Sequence, residues 1–254
     1  MLEAEDKMDI KEMAIELKLA YLREYSNDLL KEAKQLNMDL ETFLSTFLER
    51  ELARRKDNGI NRRIRSAKFV NKKFIEDFEK SKYSAEIQSK FKQFETLDFV
   101  DNKENIILMG TPGSGKTHYA TALGIKACMA GKNVLFKSVP NLVIELQESM
   151  SRNQITMYKR KFEKSDLVIL DELGYVSFDK TGCEILFNLL SSRNDKGSII
   201  LTTNLAFERW EEIFKDTMLT GAIVDRLAHR AHILDMSRDI SYRMEDTIAW
   251  SKSQ

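Results

Sequence analysis

Cysteine occurs only twice in the 254 residues, at Cys128 and Cys183, and histidine three times, at His118, His229 and His232. None stands in a CxxC or HxxxH pattern, so neither a zinc centre nor a disulfide framework is expected. The two thiols read as small core residues of a protein in a reducing compartment. Proline is confined to Pro112 and Pro140, and residues 1–65 hold a single glycine, Gly59. That composition suits a small all-helical domain at the start of the chain. Long apolar runs are missing too. Stretches such as 167–170 are far too short to span a bilayer. The opening residues MLEAEDKMDI are acidic and lack the apolar segment of a signal peptide. A cytoplasmic protein without a membrane partner is expected. Nor is there a charge excess, since 40 Lys and Arg offset 40 Asp and Glu.

The charge is unevenly placed, however. Residues 1–49 carry twelve acidic and six basic side chains, and residues 50–73 carry ten basic and two acidic ones. The basic stretch includes Arg54, Arg55, Arg62, Arg63 and Arg65 and reads as a phosphate-backbone contact surface. A second basic group, with Arg152, Lys159 and Arg160, falls in 141–164. Phe69, Phe74 and Phe78 read as packing residues rather than base-stacking platforms. Apolar residues recur at helical spacing in two stripes. The first is Ile10, Met13, Ala14, Leu17, Ala20 and Tyr21. The second is Leu40, Phe43, Leu44, Phe47, Leu48 and Leu52, with Asp39 placed as its N-cap.

From about residue 100 short apolar runs alternate with helical patterns. Strands are expected at 105–109, 133–137, 166–170 and 198–203. Helices are expected after the first glycine loop to about 129, and at 142–150, 155–162 and 183–193. This alternation predicts an α/β fold with a parallel sheet covered on both faces. The expected division is a helical domain over 1–68 and a second domain over 69–254.

Gly110, Thr111, Pro112, Gly113, Ser114, Gly115, Lys116 and Thr117 match GxxxxGK[ST] in full. Glycines let successive backbone N–H groups curl around phosphate oxygens, and the helix that follows adds its positive end. Lys116 then reaches the β- and γ-phosphates of ATP, and Thr117 offers a hydroxyl to Mg²⁺. His118 follows directly and belongs to the nucleotide-binding stretch by position, packing on the first helix. A buried strand, residues 167–170, ends in Asp171 and Glu172, about fifty-five residues after Lys116. Asp171 is read as the second Mg²⁺ residue and Glu172 as the general base for water. Thr202, Thr203 and Asn204 close the next strand, and Asn204 is placed to orient water or the γ-phosphate. His229 and His232 read as packing residues, and Trp210 and Trp250 as core or interface anchors.

The order of these motifs resembles AAA+ ATPases of the DnaC/IstB type: P-loop, Asp171-Glu172-Leu173-Gly174-Tyr175, Thr202-Thr203-Asn204-Leu205, then Ile223-Val224-Asp225-Arg226-Leu227-Ala228-His229. The likeness is greatest to the IstB helper ATPases of bacterial insertion-sequence transposition. Lys73-Phe74-Ile75-Glu76-Asp77-Phe78 resembles that family's domain junction. The resemblance implies a RecA-like αβα AAA+ core with a truncated lid. It implies that Arg226 is an arginine finger acting in trans in a ring or helical homo-oligomer, and that Arg243 is a second sensor arginine. It implies that residues 141–164 face DNA. The implied role is to assemble with ATP on double-stranded DNA and to recruit or activate a transposase. A helicase loader of the DnaC type is the alternative with the same chemistry. A nucleotide-gated binding module is the alternative without turnover, and Glu172 and Arg226 speak against it.

Overall fold

The computed structural model describes residues 9–152, 154–193 and 195–237. The chain divides into two compact units, with the division between Arg62 and Arg63. Residues 63–68, expected with the helical domain, fall in the second unit, where Ala67 is wholly buried and Ile64 packs beside it.

The first unit consists of α1 (Ile10–Glu16), α2 (Ala20–Gln35) and most of α3 (Leu40–Ala67). The first apolar stripe is broken into two helices at Lys18, which adopts a left-handed φ of 56°. Asp39 caps α3 as expected, its carboxylate accepting from Thr42 N at 2.7 Å. The second stripe is only partly used. Phe43 and Phe47 are half-buried, while Leu40, Leu44, Leu48 and Leu52 are exposed. Glu51, on α3, closes the start of α2 instead of a local cap: its two oxygens accept from Ala20 N and Tyr21 N, each at 2.8 Å.

The second unit continues with α4 (Ala85–Glu95), α5 (Asp98–Asp101), β1 (Asn105–Met109), α6 (Lys116–Met129), β2 (Val134–Ser138), α7 (Val139–Ser151), α8 (Ile155–Lys164), β3 (Leu167–Leu173), α9 (Lys180–Ser191), β4 (Ser198–Thr203), α10 (Glu211–Phe214), α11 (Thr217–Ala228) and β5 (Ala231–Asp235). The sheet is parallel throughout, in the order β2-β3-β4-β1-β5. Side-chain alternation divides its apolar residues between two layers. Ile106, Leu108, Ile169 and Ile200 pack with Phe91 and Phe94 of α4 and Tyr119 and Leu123 of α6. Ile107, Val168, Leu170 and Leu201 pack with Leu142, Phe162, Leu186 and Ile223 of α7, α8, α9 and α11. Each fully buried Leu or Ile adds about 2 kcal/mol. This is the expected αβα core.

Cys128 and Cys183 are both buried free thiols, and burial raises both above the ordinary thiol range, to about 11. Trp210 is fully buried, and Trp250 lies outside the described residues. Phe78 is buried, Phe69 packs against the core and Phe74 is partly exposed. Among the described residues no helix is long and apolar enough to cross a membrane.

Candidate functional site

The glycine loop leaves β1, an interior strand between β4 and β5, and enters α6, the geometry that an anion-binding loop requires. Gly110 has φ of 146°, and a Cβ there would stand 2.9 Å from the backbone of Met236 and Ser237. Only glycine lets the chain pass that close. Gly115 precedes α6 in the left-handed region, φ 89°. Lys116 opens the helix and folds back into the loop. Its Nζ donates to Gly110 O at 2.7 Å, to Thr111 O at 2.8 Å and to Ser114 Oγ at 3.3 Å. The loop is held from outside by the Tyr83 hydroxyl, which donates to Ser114 O. His118 packs edge-on against Phe78, ring centroids 5.3 Å apart.

Asp171 and Glu172 stand near the C-terminal end of β3 (Leu167–Leu173), at the same end of the sheet. Two consecutive strand residues would normally point to opposite faces, and a bulge alters this. Leu170 pairs with Leu201 and Leu173 with Thr203, so Asp171 and Glu172 together oppose Thr202. Glu172 takes a left-handed φ of 66°. Thr117 Oγ1 donates to Asp171 Oδ1 at 2.9 Å, and Thr202 Oγ1 donates to the same oxygen at 2.6 Å. Burial raises the Asp171 pKa, opposed by the hydroxyls of Thr202 and Thr117 and by the Lys116 charge. Asn204 Oδ1 is buried beside Gly174 and has no hydrogen-bond partner among the described residues.

These groups line one cavity of about 810 Å³. Pro112, Gly113, Gly115, Lys116, Thr117 and His118 line it together with Asp171, Glu172, Thr202 and Asn204. Its lining also includes Val70, Asn71, Asp77 and Phe78, a segment with no chemical motif of its own. Sequence reasoning named Thr202 within the Thr202-Thr203-Asn204 motif and gave it no role of its own. The volume suits a nucleotide. No group of three or more His, Cys, Asp or Glu that could hold a metal occurs among the described residues. A hydroxyl and a buried carboxylate 2.9 Å apart nevertheless fit Mg²⁺, which keeps waters and phosphate oxygens in most of its shell.

Other expected residues lie elsewhere. Arg226, on α11, is half-buried with its guanidinium 6.0 Å from the Phe187 ring centroid, and it does not line the cavity. Arg243 lies outside the described residues. Arg54 pairs with Glu24 and Arg55 with Glu51, so part of the basic stretch is neutralised inside the first unit. Arg63 Nε donates to Cys128 O at 2.8 Å, while Arg62 and Arg65 are exposed. Lys159 and Arg160 are exposed on α8, and Arg152 stands 3.7 Å from Glu148. His232 Nε2 lies 2.9 Å from Glu104, and His229 ends α11.

A family model described as IstB-like ATP binding protein matches residues 12–249. An ATP-binding protein of insertion sequence IS21 from Pseudomonas aeruginosa is 34% identical over 230 residues, 91% of this chain and 86% of that protein. One of insertion sequence IS5376 from Geobacillus stearothermophilus is 31% identical over 240 residues, 94% of this chain and 95% of that protein. Among solved structures, AMPPCP-bound DnaA from Aquifex aeolicus has a TM-score of 0.55 at 17% identity, covering 73% of this chain and 55% of that one. That likeness is one of fold.

Proposed function

The chain belongs to the family of IstB-like ATP binding proteins, and we propose that it is an ATPase of insertion-sequence transposition that assembles on duplex DNA in the cytoplasm. The observation that carries the chemistry is the meeting of Lys116, Thr117, Asp171, Glu172 and Asn204 around one cavity. The P-loop amides and Lys116 hold the β- and γ-phosphates. Thr117 and Asp171 would hold Mg²⁺, which when bound would supply positive charge to offset that of the phosphates. Glu172 takes the proton of the attacking water, and Asn204 orients that water. Arg226, which does not line its own chain's cavity, is assigned to a neighbouring subunit's γ-phosphate by resemblance. Arg243 is assigned to the nucleotide by resemblance alone.

The DNA and transposase roles draw on the relatives, which belong to insertion sequences. Exposed Arg62, Arg65, Arg152, Lys159 and Arg160 supply charge for phosphate contacts, Arg152 standing 3.7 Å from Glu148; Arg54, Arg55 and Arg63 already have partners within the chain. Such contacts position a protein on DNA without reading bases. The decisive experiment uses Glu172→Gln protein, which keeps ATP, and compares long duplex with single-stranded DNA of equal length. ATP-dependent, salt-sensitive binding to duplex supports the proposal. Preference for single strands points to a helicase loader instead.

A further inference from the structure

The bulge in β3 creates a problem that one side chain solves. A bulged residue loses its ladder partner, and an unpaired N–H away from water is costly. The Glu172 amide donates instead to Thr202 Oγ1, at 2.9 Å. A threonine hydroxyl has a single proton, and this one goes to Asp171 Oδ1 at 2.6 Å. Thr202 is 1% exposed and Asp171 3%, so both bonds are made by largely buried groups. Thr202 therefore grips the backbone of one acidic residue and the carboxylate of the other. Its neighbour Thr203 takes no part in this, because its hydroxyl accepts from Leu205 N at 3.1 Å, within its own turn.

We propose that Thr202 is a positioning residue for ATP hydrolysis, holding Asp171 and Glu172 in the relative orientation that lets one carboxylate serve the metal and the other the water. The proposal rests on the ATPase reading given above. Valine nearly reproduces the shape of threonine and offers neither donor nor acceptor. Serine keeps the hydroxyl and gives up a methyl group.

The test compares wild type, Thr202→Val and Thr202→Ser in steady-state ATP hydrolysis with DNA. Thr202→Val should lower kcat about 10- to 100-fold, and Thr202→Ser should stay within about threefold of wild type. Wild-type kcat in Thr202→Val, or equal damage in Thr202→Ser, overturns the proposal. A second series measures affinity for the slowly hydrolysed analogue ATPγS with and without Mg²⁺. Thr202→Val should keep the metal-free affinity and lose most of the metal-dependent gain, which Thr202→Ser retains. An unchanged gain in Thr202→Val overturns the proposal. Should wild type show no turnover, the ATPase reading fails while this binding series still decides the role of Thr202. Thr202→Ala replaces Thr202→Val if the latter loses metal-free binding.

Discussion

Asn204 Oδ1 lies 2.6 Å from the point where a Cβ on Gly174 would stand. Gly174 also has φ of 115°, so a side chain there is strained as well as crowded. The two residues sit on consecutive loops at the strand ends, and the glycine leaves the amide its place. Gly174→Ala should displace Asn204, leave ATP affinity nearly unchanged because the P-loop is untouched, and lower kcat about tenfold or more. A binding titration alongside turnover checks it. Full activity in Gly174→Ala removes Asn204 from the mechanism.

Lys116 is the cation enclosed by the loop, with three oxygen partners there. Lys116→Ala should abolish nucleotide binding. A ligand at about 100 times its Kd stabilises by roughly 2.7 kcal/mol, so wild type should melt higher with Mg²⁺–ATP. The variant should show no such shift in a thermal melt.

If Arg226 acts in trans, two defective proteins can complement each other. Arg226→Ala and Glu172→Gln should each be inactive alone. A mixture should regain measurable turnover, because some interfaces pair a wild-type Glu172 with a wild-type Arg226. Turnover no higher than the sum of the separate proteins would place the finger in cis.

Lys159 and Arg160 project from α8 into solvent. Replacing both with Ala should weaken duplex binding about equally across sequences. Each lost phosphate contact lowers the slope of log K against log salt by about 0.9. An unchanged slope excludes α8 from the DNA surface.

Folding lowers the His118 pKa below its ordinary 6.5, burial being the chief cause with Lys73 adding, while the Phe74 carbonyl and Asp77 oppose. Below pH 6.5 the unfolded chain binds this proton before the folded chain does. Stability should therefore fall as pH drops from about 6.5 toward the folded pKa. His118→Gln removes this titration and should flatten that part of the curve in urea denaturation series.

Much of the architecture follows from local patterns. The strands 105–109 and 198–203 are legible because continuous β-branched and leucine runs mark strands buried on both faces. β5 is not, since Ala231, His232 and Asp235 break the apolar run and only Leu234 is buried. The α3 leucines mislead in the other direction: Leu40, Leu44, Leu48 and Leu52 have the periodicity of a core face and stand exposed. The charge of Arg54 and Arg55 reads as available to DNA until Glu24 and Glu51, the first of them distant in sequence, are found beside them.

The glycine loop, the buried strand before the acidic pair and the cap at Asp39 are consequences of neighbours within a few positions, where residue type limits φ and ψ and supplies the nearest hydrogen-bond partner. The part of the lining formed by Val70, Asn71, Asp77 and Phe78 and the bond from Thr117 to Asp171 depend on long-range packing. So does the grip of Thr202 on Asp171 and Glu172. These join residues tens of positions apart, and no local preference encodes which strand lies beside which. That is settled when two apolar faces of one sheet must both be buried, and only then do Asp171, Glu172 and the glycine loop share a cavity.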